Sequence, residues 1–150
     1  MFKILYFTLK LGSNDKTLVK VGSLASYAKG VSGDVYKKEA KNMLVVNNFK
    51  YDGSAPDAFF IVGTSGKPSS DGTILPYPFD GTFYQYNDKS APKLAKADGK
   101  QVVLTLPSNL KVSDVKWLAV WCRQFGLNFG DLYFQGELLH KSFLIGTLLR

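Results

Sequence analysis

Cys122 is the only cysteine in the 150-residue chain, and it stands between Trp121 and Arg123 at the end of the apolar run from Val115 to Cys122. A thiol becomes nucleophilic or redox-active through its thiolate, which a nearby cation stabilises. Cys122 is therefore the redox candidate and Arg123 the candidate thiolate stabiliser. The competing use of Cys122 is packing, because free cysteines are among the most buried residue types and act as small hydrophobes. Consecutive side chains on a strand point to opposite faces, so Arg123 reaches the sulfur only if the chain kinks after Cys122. Gly126 follows closely and permits such a bend. Trp117 and Trp121 share one strand face with Ala119, and two indoles so placed either flank a flat cofactor or sugar ring or fill a core.

Other chemistries find less support. His140 is the only histidine, so neither a multi-histidine metal site nor a triad around Cys122 can be assembled. Asp52 and Asp57 bracket Gly53-Ser54-Ala55-Pro56; oxygen-rich loops can hold calcium, but the spacing fits no defined calcium loop, and Asp-Gly followed by Pro already makes a turn. Neither a phosphate-binding motif nor a zinc spacing occurs. Conventional hydrolase or kinase activity is not expected, and the domain is not expected to be an enzyme on its own.

The elements that must position these residues read as β-structure. Four Asp-Gly pairs, at 52–53, 71–72, 80–81 and 98–99, punctuate the chain and read as turns, since glycine accepts positive φ and aspartate hydrogen-bonds its own backbone. Between them, strands are expected near 30–37, 43–49, 58–62, 100–106, 115–122 and 128–133. The 115–122 run is apolar at both parities, with Trp117, Ala119 and Trp121 on one face and Leu118, Val120 and Cys122 on the other, so it reads as a central strand covered on both sides. The proline-containing stretch 63–83 reads as a long irregular loop, and the spacing over 137–145 allows a short C-terminal helix. Short strands with regular turn signals predict an all-β, single-domain antiparallel sandwich of jelly-roll-like type.

The formal net charge is +7. Only Arg123 and Arg150 are arginines, so the excess is lysine, scattered along the chain. Nucleic-acid binders gather their cations on one face or helix, and no such cluster is legible, so no specific nucleic-acid partner is expected. The densest group, Lys89, Lys93, Lys96 and Lys100, is broken by Pro92 and Gly99 and reads as a solvated loop. Weak attraction to acidic glycans, membranes or acidic proteins follows from net charge alone. One cysteine cannot form an internal disulfide, and no apolar stretch is long enough to span a bilayer. Lys10 interrupts the N-terminal apolar run before a signal-peptide core is complete.

Trp117-Leu118-Ala119-Val120-Trp121-Cys122-Arg123, followed by Gly126-Leu127-Asn128-Phe129-Gly130-Asp131, resembles the C-terminal half of a DM13 domain. The stretch from Asn48 to Phe60 agrees with it, as do Leu24-Ala25-Ser26-Tyr27, Val31 to Tyr36, Leu104-Thr105-Leu106-Pro107 and Asp114-Val115-Lys116-Trp117. The similarity runs from about Val21 to about Tyr133. The expected organisation is an N-terminal extension (1–20), a DM13-like β domain (21–134) and a C-terminal extension (135–150). DM13 domains are small β modules of Skeletor-like animal proteins, often beside DOMON domains, which resemble cytochrome-type haem binders. The resemblance implies a redox or electron-transfer accessory role in which Cys122 is a bare thiol or a ligand to a haem-like group, with Trp117 and Trp121 beside the cofactor. It equally implies a non-enzymatic interaction module in extracellular matrix, cuticle or spindle-matrix assembly, with protein partners such as a DOMON domain. It further implies a multidomain context, of which this chain would be a fragment. The free thiol points inside the cell and the family's usual partners point outside; the expectation is extracellular, with nucleus, spindle or cytoplasm as the alternative.

Overall fold

The structure is a computed structural model and describes residues 17–134. Nine strands run β1 (Val19–Ser23), β2 (Ala25–Ser26), β3 (Ser32–Lys38), β4 (Met43–Tyr51), β5 (Ala58–Gly63), β6 (Thr73–Leu75), β7 (Ala97–Thr105), β8 (Trp117–Cys122) and β9 (Leu127–Tyr133). They form one sheet in the order β1-β3-β4-β7 and a second in the order β2-β9-β8-β5-β6. Every pairing is antiparallel. Among the described residues the helical elements are two single turns of 3-10 type, and no helix is long and apolar enough to cross a membrane. This is the all-β sandwich that the turn spacing predicts.

The two faces of β8 explain why its sequence is apolar at both parities. It lies between β5 and β9 in the middle of the second sheet, and all six of its residues are buried. Leu118, Val120 and Cys122 point into the space between the sheets, where they meet Leu44, Val46, Phe49 and Tyr51 of β4 and Phe60 and Val62 of β5. Phe49 and Phe60 close this core with ring centroids 4.8 Å apart. Trp117, Ala119 and Trp121 point the other way and join Phe59, Ile61, Ile74 and Ala91 in a second apolar cluster, against which Tyr84 and Tyr86 pack. That cluster is covered by the long segment between β6 and β7, so the domain has a third, non-sheet layer. Burying apolar surface on both faces is what makes β8 the spine of the fold.

Three sequence expectations change. Asp98-Gly99 is not a turn: it lies inside β7, where Lys50 pairs with Asp98 and Phe49 with Lys100, leaving Gly99 as an extra residue. Gly99 has φ +88, so the pair forms a β-bulge, which exploits the same positive-φ tolerance that marks a turn. The 63–83 stretch is not wholly irregular, because Thr73–Leu75 pairs with β5, Phe60 facing Leu75. β1 and β2 fall where no strand was expected; each is short and largely exposed, with little apolar pattern to read. The C-terminal helix expected over 137–145 lies outside the described residues.

Candidate functional site

Cys122 is fully buried. It ends β8, paired to Ala58 of β5 on one side and Leu127 of β9 on the other, and its side chain belongs to the core between the sheets. Burial lifts the Tyr51 phenol above its ordinary pKa, with Asp52 and Cys122 adding to the rise while the Ala55 amide, which donates to the phenol oxygen at 3.1 Å, opposes it. The strand does end at Cys122, as a reactive thiol there requires, but the sulfur faces packed side chains rather than an opening. A haem on this sulfur does not fit that packing, since the group needs an open side of several ångströms and Cys122 has no exposed surface.

Arg123 is not beside the thiol. It leaves the sheet on the opposite face, where Nε and Nη2 grip both oxygens of Asp57 at 2.9 and 3.0 Å, and Nη1 donates to the carbonyls of Tyr86 and Asp88, each at 2.9 Å. Its guanidinium also lies 4.6 Å from the centroid of the Phe59 ring. The Arg123 amide completes the arrangement by donating to the Asp57 carbonyl at 2.9 Å. One side chain thereby ties β5, β8 and the covering segment together. Trp121 strengthens the same junction, its indole N–H donating to the Tyr86 hydroxyl at 2.8 Å, and Trp117 donates to the Ser65 carbonyl at 3.0 Å. Both indoles are thus engaged by the covering layer, on the side of the sheet away from Cys122, and no single bound group could touch Cys122 and the two tryptophans together.

Asp52 and Asp57, which bracket Gly53 to Pro56 in the sequence, part company in the fold. Asp52 makes the expected turn, accepting from the Ser54 amide at 2.9 Å and hydroxyl at 2.8 Å, and these bonds hold its carboxyl below the usual range. Asp57 is instead the buried partner of Arg123, 66 positions away, a pairing that no local signal discloses. Asp88 sits at the same junction. The Ser90 hydroxyl and amide depress its pKa, with Arg123 contributing further. A depressed carboxylate stabilises the fold above its unfolded pKa and loses that contribution as pH falls through the lower folded value. The turn at Asp88 should therefore persist through mildly acidic solution; an NMR titration of Asp88 with a midpoint at or above the ordinary aspartate value would contradict this. A second buried carboxylate, Asp131, accepts from the Tyr27 hydroxyl at 2.8 Å and the Asn128 side-chain amide at 2.8 Å, and the bond to Asp131 raises the Tyr27 pKa. It lies in the motif Gly130-Asp131, but its role here is to fasten the Tyr27 segment to β9.

Around this junction the covering segment leaves two clefts. One is lined by Asn87, Lys89, Lys93 and Gln124 beside the Asp57–Arg123 pair. The other, of about 150 Å³, has Tyr77, Pro78 and Leu94 in its wall and Lys93, Lys96 and Lys100 around it. The densest lysine group, Lys89, Lys93, Lys96 and Lys100, thus lines the two clefts while remaining exposed to solvent. Among the described residues no group of three or more His, Cys, Asp or Glu is placed to hold a metal ion.

Comparison with known proteins agrees with this architecture's sequence signature. The family model described as "Electron transfer DM13" matches residues 23–134. Two forms of the Drosophila melanogaster protein Skeletor, isoforms B/C and isoforms D/E, are each 35% identical to this chain over 113 residues, or 75% of its length. The chain spans only 13% of the first and 7% of the second. No solved structure matches. With a family model covering most of the chain and its matched segment coinciding with the two-sheet domain, the chain belongs to the DM13 family.

Proposed function

We propose that this DM13 domain is a non-enzymatic interaction module, one unit of a larger assembly in extracellular matrix or cuticle, with the spindle matrix as the alternative setting. The observation that carries this reading is the position of Cys122: its sulfur is sealed in the core between the sheets, while the cation next to it is committed to Asp57 on the other face. A thiol without access or a stabilising cation is poorly suited to exchange chemistry. What the domain offers to partners is its surface, built by a long segment pinned over β8. A DOMON domain is the proposed neighbour in the full-length protein.

The second reading is electron transfer through Cys122, favoured by the description that the matching family carries. The two readings differ in the behaviour of the thiol. Under the proposal, Cys122 reacts with a thiol reagent at neutral pH only as fast as the domain opens, and Cys122→Ser lowers stability by about 1–3 kcal/mol, because a hydroxyl replaces sulfur in an apolar site. Rapid labelling of the native domain, or a visible chromophore bleached by Cys122→Ser without loss of fold, would overturn the proposal in favour of electron transfer.

A further inference from the structure

We propose that the two clefts beside the Arg123 junction form one continuous binding seam for an acidic oligosaccharide, carboxylated or sulfated. This rests on the reading of the domain as an interaction module and names the partner class.

The sequence places the four lysines within residues 89–100, and the fold sets them along two clefts. Lys93 lines both clefts, so they meet at its side chain. Lys89 extends the positive lining in one direction, and Lys96 and Lys100 extend it in the other. All four are exposed, and none makes an ion pair among the described residues. The acidic groups nearby do not cancel them equally. Asp57 is held by Arg123, Asp88 turns to Ser90, and Asp52 lies near Lys96 while bonded to Ser54. Like charges lining one seam repel one another, an arrangement that an anionic ligand relieves.

The remaining lining selects among anions. Asn87 and Gln124 in the polar cleft each carry an amide that both donates and accepts, which suits hydroxyl groups as well as carboxylates. The other cleft has an apolar wall beneath an ammonium rim, matching a sugar ring with one apolar face and an acidic substituent. Arg123 lines the polar cleft but spends its fork on Asp57 and two carbonyls, so the lysines supply point charges rather than the bidentate geometry that phosphate diesters favour. A linear chain of charged sugars meets both halves of the seam with one repeating chemistry.

The test is calorimetric titration of the folded domain with a sulfated heparin-type hexasaccharide and with hexagalacturonate, beside polyglutamate of matched charge and a single-stranded oligonucleotide. At least one saccharide should bind more tightly than both competitors. Lys93→Ala and Lys100→Ala should each weaken it by roughly tenfold, the scale of one charge-assisted contact. Lys41→Ala, at the far end of β7 where Met43 pairs with Thr105, should leave affinity within about twofold while removing the same charge. Equal losses at Lys41 and Lys93 would reduce the effect to net charge and overturn the seam. Tighter binding of polyglutamate would overturn the saccharide in favour of an acidic protein, leaving the interaction module standing; tighter binding of the oligonucleotide, or no binding at all, would also overturn it. A reactive Cys122 would sink the interaction reading without altering any of these titrations, so the two failures are separable.

Discussion

Arg123→Ala is expected to destabilise the domain by about 3–5 kcal/mol, the usual loss when one partner of a buried ion pair is removed. The reason is what the arginine leaves behind. Asp57 is only 7% exposed, and without the guanidinium its carboxylate has charge and no counterion. The carbonyls of Tyr86 and Asp88 lose their donor at the same time, and unpaired buried acceptors add desolvation cost. At about 2–4 °C per kcal/mol for a domain of this size, the melting temperature should fall by roughly 10 °C. A variant melting within 2 °C of the parent would mean that the junction is wet and weak.

Two further variants separate charge from geometry at this site. Arg123→Lys keeps the charge but cannot grip both Asp57 oxygens and two carbonyls at once, so most of the stability should still be lost. Asp57→Ala combined with Arg123→Ala should cost clearly less than the sum of the single changes, because the double variant leaves no orphaned charge. Near-additive losses would show that Arg123 acts mainly by stacking its guanidinium on Phe59.

The β-architecture was legible because alternation and turn chemistry are local. The runs read as strands over 43–49 and 115–122 declare themselves by β-branched and aromatic residues between turn formers, close to the observed Met43–Tyr51 and Trp117–Cys122, and the two apolar parities of β8 state that both its faces are covered. Where local chemistry is ambiguous the reading failed. Asp98-Gly99 satisfies the requirements of a turn and of a bulge equally, and only the pairing with Phe49 and Lys50 decides between them. β6 is three residues long among prolines, too short to show a period. The site was less legible for a related reason. Sequence adjacency suggested that Arg123 serves Cys122, yet alternation sends them to opposite faces, and the true partner, Asp57, becomes a neighbour only through the β5–β8 ladder. The lysines of the seam were legible as the densest charge group, within residues 89–100, but the two clefts they line are made by the fold.

Trp117→Ala should be as damaging, about 3–5 kcal/mol, the range for truncating a buried large aromatic. Trp117 is 1% exposed and fills the space against two glycines of the same sheet region. A methyl group built on Gly63 would lie 2.1 Å from Trp117 Cζ2, and one on Gly72 would lie 2.8 Å from Cη2, so the backbone of both residues is shaped to the indole. Removing the ring leaves a cavity that a β-ladder on either side cannot collapse to fill, and the Ser65 carbonyl loses its donor. The same geometry supplies a stricter test than stability alone. Gly63→Ala should destabilise the parent, because the indole is held on both sides and cannot move away. In the Trp117→Ala background that penalty should shrink or reverse, since the new methyl enters the vacated space. If Gly63→Ala costs the same in both backgrounds, the close approach does not constrain the fold, and the large expected effect of Trp117 must be assigned to hydrophobic area rather than to fit.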